Sequence, residues 1–428
     1  MSELSCLVRQ DFVLQPDPSR VLVRPFRPST DPAELTPTNR GRANRIVSHV
    51  LALSSDAAEL QLAEVIDSFH GRHRNLLGIF EARADEVEPT LDPHPPLTFN
   101  QRLLIGAYFL QEYSFEAAAL FNPSIVIHPD QSGLSSGECR FVLSLRAVGE
   151  GHISSITFRT GIVDADGQVT VVPATRLAVV PRIGERIGDV VEVGFDAEAE
   201  LSERVIFPVT GAQSGGIEDA RFVRFEDENG PVYYGTYTAY SGREIRSELI
   251  DTSDFHRFRM RPMTGTASRN KGMALFPRKI GGRFAMVGRQ DNENLFLMYS
   301  DDLLDWNGGE KFICPQNPWE FVQIGNCGSP IELDEGWLLF THGVGAMRKY
   351  SIGAVLLDKD DPSKVIARTE DPLIRPEPSQ REGYVPNVVY TCGALRHGPH
   401  IVLPYAVSDS FSNFASVRID ELLAVMKR

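Results

Sequence analysis

Residues 221–240, RFVRFEDENGPVYYGTYTAY, contain two strand-like runs separated by the polar turn Glu-Asn-Gly, which predicts a β-hairpin. The pattern of strand, tight turn and strand returns in residues 273–299, 330–357 and 385–417, where the turns carry Gly-Gly, Asp-Glu-Gly and His-Gly-Pro, and an earlier copy occupies residues 122–163. Five such units predict radial repetition, so the expected fold class is all-β, a five-bladed β-propeller. A two-sheet sandwich is the alternative, although its strands need not repeat a motif at this period.

The chain before the first repeat has the pattern of helices rather than of strands. Residues 1–115 are predicted to form an N-terminal extension with helices, and residues 116–428 the propeller domain. Apolar residues recur at helical spacing in residues 42–53 and 56–70, and Thr-Phe-Asn-Gln at 98–101 fits a capping box that starts a further helix. These helices are expected to pack against the propeller or against another subunit, which gives the hypothesis of a homo-oligomer.

Composition narrows the classes of partner. The chain has 428 residues, with 43 Lys and Arg against 57 Asp and Glu, a net charge of −14. This charge disfavours nucleic acid and anionic membrane surfaces as partners, whereas a neutral sugar is acceptable. Five widely spaced cysteines form no CxxC pair and signal neither a disulfide framework nor a zinc site. Because no leader-like or long apolar segment is recognisable, we expect a cytoplasmic protein.

Seven segments form an ordered set along the propeller part: FNPS (121–124), GIEDAR (216–221), RNKGMALFPRKIGGRFAMVGR (269–289), GWLLFTHGV (336–344), YSIGAVLLD (350–358), YVPNVVYTCG (384–393) and the Ser-Asp pair at 408–409. In order and spacing this set resembles glycoside hydrolase family 130. That resemblance implies a five-bladed propeller that acts on β-mannosides, mostly as an inverting phosphorylase and in some branches as a hydrolase. The N-terminal helical region lies outside most of the resemblance.

Inverting cleavage of a glycoside requires a carboxylic acid that protonates the leaving oxygen. The resemblance implies that Asp219 is this proton donor, acting directly or through a sugar hydroxyl. Ala220 stands where the family's common motif has proline, which leaves Asp219 and Arg221 in place. The structural alternative is that Glu218 and Asp219 are acceptors in a turn and that Arg221 is their partner.

A phosphorylase must also bind phosphate, for which the planar fork of arginine is suited. The residues that the resemblance assigns to phosphate are Arg269, Asn270, Arg289, His342 and Tyr350. Those that it assigns to substrate binding are Asn122, Ser124, Arg146, Glu218, Arg221 and Asp409. The aromatic residues Tyr240, Phe255 and Tyr384 could stack on a sugar face or belong to the blade core.

Gln323 is a departure from the family's phosphorylases, which usually carry a lysine in that segment. Loss of a charged hydrogen bond weakens binding by ~1.5–3 kcal/mol, so the change favours water as the nucleophile. A hydrolase would then need a carboxylate base, and the sequence does not rank Asp291, Glu293 and Glu320 for this role.

The sequence therefore predicts an inverting glycoside phosphorylase that cleaves a β-mannoside with inorganic phosphate to give mannose 1-phosphate. A β-mannosidase of the same family and a catalytically silent carbohydrate-binding propeller are the alternatives. The expected partner is a β-mannoside oligosaccharide. No metal and no organic cofactor is implied, and phosphate is the co-substrate.

Overall fold

Strands make up most of the regular structure, as the all-β class predicts. The computed structural model describes residues 6–29, 41–228 and 230–427, so Asn229 of the predicted Glu-Asn-Gly turn lies outside the described residues. The chain divides into two compact units. The strand unit comprises residues 1–18, 115–175 and 180–428, and the helical unit comprises residues 19–114 and 176–179.

The strands are short and follow one another closely along the chain. In chain order they are β1 (Leu7–Leu14), β2 (Val21–Pro25), β3 (Leu110–Ser114), β4 (Ala119–Ile127), β5 (Cys139–Val148), β6 (Ser154–Val163), β7 (Val169–Val171), β8 (Arg182–Ile187), β9 (Val190–Gly194), β10 (Val205–Ile206), β11 (Gly216–Asp227), β12 (Gly230–Tyr240), β13 (Ile245–Thr252), β14 (Arg257–Pro262), β15 (Ala274–Leu275), β16 (Phe284–Gly288), β17 (Leu295–Ser300), β18 (Glu310–Ile313), β19 (Gln323–Asn326), β20 (Ile331–Glu332), β21 (Trp337–Val344), β22 (Tyr350–Leu357), β23 (Val365–Arg368), β24 (Val389–Tyr390), β25 (Leu395–His397), β26 (His400–Val407) and β27 (Phe411–Arg418).

Most strands of the strand unit pair with the strand that precedes or follows them in the chain. The first sheet runs β4-β5-β6 and continues through β11-β12-β13-β14 to β9 and β8, the two groups being joined by one parallel pairing of Gly216 with Ser154. The other sheets are β15-β16-β17-β18, β19-β21-β22-β23 and β1-β27-β26-β24. Strand β1, from the predicted N-terminal extension, thus pairs with β27. No sheet of the described residues closes on itself, so the five-bladed arrangement stays a prediction.

Successive sheets pack face to face through apolar side chains. One core joins Phe225 and Leu249 to Met286, a second joins Leu297 to Leu339, and a third contains residues of β21, β22, β26 and β27. Complete burial of each such side chain stabilises the fold by roughly 1.5–3 kcal/mol, which makes this stacking the main source of stability.

The helical unit contains α1 (Arg42–Leu51), α2 (Ser55–Phe69), α3 (Leu76–Val87), α4 (Phe99–Tyr108) and the antiparallel pair of β2 with β3, whereas α5 (Ile419–Val425) ends the strand unit. The predicted capping box is confirmed: the Gln101 N–H donates to Thr98 Oγ1, and the Thr98 N–H donates to Gln101 Oε1. Helix α3 was not predicted. It packs closely on α4 because Gly106 has no side chain; a Cβ there would lie 1.8 Å from the Phe80 carbonyl oxygen.

None of the helices in the described ranges is both long and apolar enough to cross a membrane.

Candidate active site

Two irregular strands place the predicted proton donor beside a predicted substrate-binding residue. The register of β11 shifts between Glu218 and Arg221, and Asp219 has φ +52°. The register of β4 shifts after Phe121 in the same way, and Asn122 has φ +50°. Aspartate and asparagine tolerate this left-handed conformation better than most residues, and a bulge re-aims the side chain. The Asn122 amide consequently donates a hydrogen bond of 2.6 Å to Asp219 Oδ1.

Arg146 connects the two adjacent carboxylates. Its guanidinium donates to Glu218 Oε1 at 2.9 Å and to Asp219 Oδ1 at 3.4 Å. Lys271 Nζ approaches the other oxygen of Glu218 at 3.6 Å. The carboxylate pair therefore lies among cations, with Asp219 itself only 8% exposed.

These cations decide the charge of Asp219. Burial alone would raise the pKa of the carboxyl, but Arg146, Arg221 and Lys271, together with the Asn122 hydrogen bond, lower the pKa to about 2. Asp219 is thus ionised at neutral pH in the free protein. A role as proton donor therefore requires that bound substrates raise this pKa.

Arg221 is buried, and its hydrogen bonds hold neighbouring segments together. It donates to the Cys327 carbonyl at 2.9 Å, to the Asp219 carbonyl at 3.1 Å and to the Tyr390 hydroxyl at 2.7 Å. Ser124 is also buried, and its hydroxyl accepts a 3.1 Å hydrogen bond from the Phe222 N–H. Both residues brace the strands that carry the carboxylates.

Asp409 belongs to the same charge cluster. It follows β26 in a turn in which Ser408 and Asp409 both have positive φ. Burial raises the pKa of Asp409 to about 7, the negative charge of Asp219 adds to the increase, and Arg146 opposes it. Two carboxyls near one another with such different pKa values can hold one proton between them.

The predicted phosphate residues His342, Tyr350 and Arg289 lie next to this cluster. The His342 ring stacks on Tyr350 at 5.9 Å and contacts Tyr390 at 4.8 Å. Burial lowers the pKa of His342 well below its usual range, and the charges of Arg289 and Arg221 lower it further, so the imidazole is neutral. Gln323 Nε2 lies 3.4 Å from His342 Nε2.

Arg289 is a half-buried cation. Burial lowers its pKa, the like charge of Arg221 adds to this effect, and its Nε has no hydrogen-bonding partner within the described part of the chain. Gly272 lies against it, since a Cβ at Gly272 would be 3.4 Å from Arg289 Nε. An anion at this position would relieve both the desolvation and the repulsion.

The other two predicted phosphate residues are placed differently. Asn270 donates to Asn292 Oδ1 at 2.9 Å and accepts from the Lys271 N–H, so its side chain orders the loop before Lys271. Arg269 is exposed and lines a separate cavity of about 700 Å³ with Arg246 and Met263. No side-chain hydrogen bond or ion pair joins Arg269 to the other predicted residues among those that the structure describes.

The carboxylates considered as a hydrolytic base have other partners. Glu320 is 1% exposed, pairs with Arg368 at 2.6 Å and accepts from two backbone N–H groups, which is a structural role. Asp291 caps its own loop through the N–H groups of Glu293 and Asn294. Glu293 is exposed.

The three predicted aromatic residues lie in different environments. Phe255 is buried in a cluster with Phe158 and Tyr233, so it belongs to the core. Tyr240 is half-buried, and its hydroxyl donates to the Gly242 carbonyl. Tyr384 is 44% exposed and contacts the His152 ring. Tyr384 therefore remains the most accessible of the three.

Sequence reasoning missed Lys271 and Tyr390. Both lie inside motifs that it quoted: Lys271 follows Asn270, and Tyr390 is the tyrosine of YVPNVVYTCG. The available signal in the sequence was the presence of each residue inside one of the quoted motifs. Their partners, Glu218 and Arg221, are contributed by a different sheet.

A site that combines the buried carboxyl of Asp219 with the half-buried guanidinium of Arg289 suits a polar substrate and an anion. A family model described as beta-1,4-mannooligosaccharide phosphorylase matches residues 183–428. The chain therefore belongs to glycoside hydrolase family 130, a family of enzymes that act on β-mannosides.

Two relatives illustrate this membership. The 1,2-beta-oligomannan phosphorylase of Thermoanaerobacter sp. (strain X514) is 32% identical over 227 residues, which cover 52% of this chain and 75% of the relative. The beta-1,2-mannobiose phosphorylase of Listeria innocua serovar 6a is 30% identical over 226 residues, which cover 51% of this chain and 62% of the relative.

Solved structures share the fold. The Listeria innocua beta-1,2-mannobiose phosphorylase in complex with beta-1,2-mannobiose has a TM-score of 0.53 at 20% identity, over 72% of this chain and 92% of that one. A structure from work on family members that are glycoside hydrolases targeting beta-1,2 mannosidic linkages in Candida mannan has a TM-score of 0.55 at 18% identity, over 72% and 87%. At these identities the likeness concerns the fold alone.

Proposed function

We propose that this chain is an inverting glycoside phosphorylase that cleaves a β-mannoside with inorganic phosphate and releases mannose 1-phosphate. The observation that carries the proposal is that a buried carboxyl, Asp219, interacts electrostatically with the half-buried guanidinium of Arg289, whose Nε has no hydrogen-bonding partner among the described residues. Inverting phosphorolysis needs these two elements, an acid for the leaving oxygen and an anion site for the nucleophile. The phosphorylase relatives support the same reading.

In this mechanism phosphate enters beside Arg289, His342 and Tyr350. The neutral imidazole and the tyrosine hydroxyl contribute hydrogen bonds, and Lys271 supplies a cation near the carboxylates, although Gln323 lacks the charge usual in the family. Phosphate brings negative charge toward Asp219 and thereby raises the pKa of its carboxyl. Asp219 then takes up a proton from solvent and becomes the proton donor when both substrates are bound.

Asn122, Arg146 and Asp409 surround the Asp219 carboxylate and would hold the mannosyl unit. A carboxylate accepts hydrogen bonds from sugar hydroxyls, whereas Arg146 and the Asn122 amide donate them. Glu218 keeps Arg146 in position through its 2.9 Å contact. The linkage and the acceptor sugar depend on the loops around the site.

The direct test is product analysis on β-1,2- and β-1,4-mannobiose with and without inorganic phosphate. Mannose 1-phosphate that forms only with phosphate is the expected result. Free mannose released at the same rate without phosphate would replace phosphorolysis with hydrolysis, the second candidate, which Gln323 favours.

The anion site has its own test. Replacing Arg289 with Met should raise the KM for phosphate tenfold to a hundredfold, because a charged hydrogen bond contributes ~1.5–3 kcal/mol. Arg283→Met is the matched control, since Arg283 lies on the same hairpin, is exposed and pairs with Asp301. An unchanged KM in Arg289→Met would remove Arg289 from the phosphate site.

The strand unit is further proposed to be a five-bladed propeller, with residues 116–428 as the catalytic domain, residues 1–115 as an extension, and β1 of that extension completing the last sheet. Support comes from five antiparallel groups in chain order and from the pairing of β1 with β27. Self-association through the N-terminal helices is also proposed. A monomeric mass in light scattering would contradict it.

A further inference from the structure

An exposed pair of rings, Tyr384 and His152, lies beside the proposed site. Tyr384 belongs to the segment between β23 and β24, and His152 belongs to the turn between β5 and β6. A hydrogen bond joins the Tyr384 hydroxyl to His152 Nδ1, and the ring centroids lie 5.7 Å apart at an angle of 47°. The pair thus connects two segments that are 232 positions apart in the chain.

The backbone of Tyr384 is bound to the turn that carries Asp409. The Tyr384 N–H donates to Ser410 Oγ at 2.8 Å. Gly383 permits this approach, since a Cβ there would lie 2.5 Å from Ser410 Oγ and 2.6 Å from Ser408 Cβ. Asp409 lies between the two serines, so Tyr384 is held next to a residue of the proposed site.

His152 is connected in a similar way to the strand that carries Arg146. Strand β5 ends at Val148, just beyond Arg146, and the turn that follows is closed by a 3.2 Å hydrogen bond from the His152 N–H to the Gly149 carbonyl. The charges of Arg146 and Asp409 interact. The ring pair therefore spans the two segments whose side chains are proposed to hold the mannosyl unit.

The segment that begins at Tyr384 runs between the two parts of the proposed site. At Asn387 it adjoins the phosphate residues, because the Asn387 carbonyl accepts a 3.0 Å hydrogen bond from the Tyr350 N–H. At Tyr384 it adjoins the Asp409 turn, and the side chain reaches His152. The Tyr384 ring thus lies at the end of the segment away from Tyr350.

Displacement geometry assigns this side of the site to the leaving sugar. In an inverting displacement the nucleophile and the leaving group occupy opposite faces of the anomeric carbon. Phosphate held by His342 and Tyr350 takes one face, and Asp219, which protonates the leaving oxygen, marks the other. Arg146 contacts Asp219 at 3.4 Å, and Tyr384 lies nearer to solvent, with 44% exposure against 8% for Asp219. The departing sugar is therefore expected on the side of Tyr384.

We propose that Tyr384, held by His152, is the wall against which the leaving hexopyranose binds, and that it helps to determine which acceptor sugar is accepted. His152 engages the tyrosine hydroxyl, so Tyr384 offers its apolar ring face to the C–H groups of the sugar. Hydrogen bonds at the backbone and at the hydroxyl fix the ring in advance, which lowers the entropy cost of binding. The inference rests on the proposed function because it concerns the same substrate.

Synthesis from mannose 1-phosphate and mannose separates the two sugar positions. Tyr384→Ala should raise the KM for the acceptor mannose roughly threefold to tenfold and leave the KM for mannose 1-phosphate within about twofold. Tyr384→Phe keeps the ring and should recover most of the affinity. Tyr108→Ala is the matched control, because Tyr108 is also 44% exposed but belongs to the helical unit. Equal rises in both KM values, or no rise in either, would overturn the assignment to the leaving sugar.

His152→Asn tests the support of the wall. Asparagine tolerates the φ of +60° at this position and removes the imidazole. The variant should raise the acceptor KM roughly twofold to threefold, and it should add nothing in a protein that already carries Tyr384→Ala, because His152 acts through the tyrosine. Additive effects of the two substitutions would refute this positioning role.

Binding of mannobiose distinguishes the wall from the proposed function. Titration calorimetry without phosphate should show a roughly threefold to tenfold higher Kd for β-1,2- or β-1,4-mannobiose in folded Tyr384→Ala than in the wild-type protein. If the wild-type protein forms no mannose 1-phosphate but shows this difference, the wall stands and phosphorolysis falls. If it forms mannose 1-phosphate and the variant binds mannobiose equally well, the wall falls and phosphorolysis stands. No binding of either mannobiose by the wild-type protein would overturn both.

Discussion

The substitution that tests the proposed proton donor most directly is Asp219→Asn. The asparagine keeps the shape of the side chain, tolerates φ +52° and can still accept the hydrogen bond from Asn122. It cannot donate a carboxyl proton. A positioned general acid contributes about 10²–10⁴-fold to the rate, which corresponds to about 3–5.5 kcal/mol in the activation free energy.

The cost in stability should be much smaller. Arg146 retains its 2.9 Å contact with Glu218, and Arg221 retains its contacts with Tyr390 and with two carbonyls. The loss is then about 1–2 kcal/mol of unfolding free energy, close to one charged hydrogen bond. Asp219→Ala should be less stable still, because the left-handed conformation costs alanine roughly 1–2 kcal/mol.

The assay is mannose 1-phosphate release from β-mannobiose, accompanied by thermal unfolding of each variant. A 4-nitrophenyl β-mannoside needs little protonation of its leaving group, so Asp219→Asn should lose far less activity on it than on mannobiose. Wild-type turnover of mannobiose by this variant would refute the role of Asp219 as an acid. If Asp219→Asn instead had a much lower melting temperature and lost equal activity on both substrates, Asp219 would have the structural role of an acceptor in a turn.

Three further predictions concern the surrounding charges. The pKa of Asp409 is raised to about 7, so the folded state binds its proton more tightly and stability should fall as pH rises from about 4 to 7. Asp409→Asn should remove this fall and be more stable than wild type at pH 8 by roughly 1–3 kcal/mol of unfolding free energy. Thermal unfolding at several pH values measures this difference. Parallel plots of stability against pH for the two proteins would contradict the prediction. Gln323→Lys adds a cation 3.4 Å from His342 and should lower the KM for phosphate up to tenfold while lowering the melting temperature without phosphate, and a higher KM would count against the anion site. Glu320→Ala leaves Arg368 buried without its partner and should cost about 3–5 kcal/mol of unfolding free energy, yet kcat of the folded fraction should be unchanged; loss of kcat alone would restore Glu320 as a base.

Local patterns explain what the sequence could predict. The capping box at Thr98 depends on residues three positions apart, and the hairpins depend on a polar turn between apolar runs, so both could be read directly. Helix α3 was not predicted because Gly78 lies in its first turn and weakens the helical signal in the sequence. Its packing on α4 through Gly106 is a tertiary property.

The composition of the site was also accessible from the sequence, but its arrangement was not. Quoted motifs contained Asp219, Arg289, His342, Lys271 and Tyr390, yet no local pattern distinguished Lys271, which contacts Glu218, from Arg269, which lines another cavity. Glu320 was an open candidate for a base until its partner Arg368 was placed.

The sequence by itself determined the strand-rich class, the family and the residue types available for chemistry, because these depend on short-range pattern and on motif order. Only the tertiary structure decided which side chains share a charge environment. Asn122 meets Asp219 across 97 positions and Arg221 meets Tyr390 across 169, through bulges and sheet packing that no local pattern encodes. The depressed pKa of Asp219 and the raised pKa of Asp409 follow from that convergence, since electrostatic energy depends on distance in space and on burial.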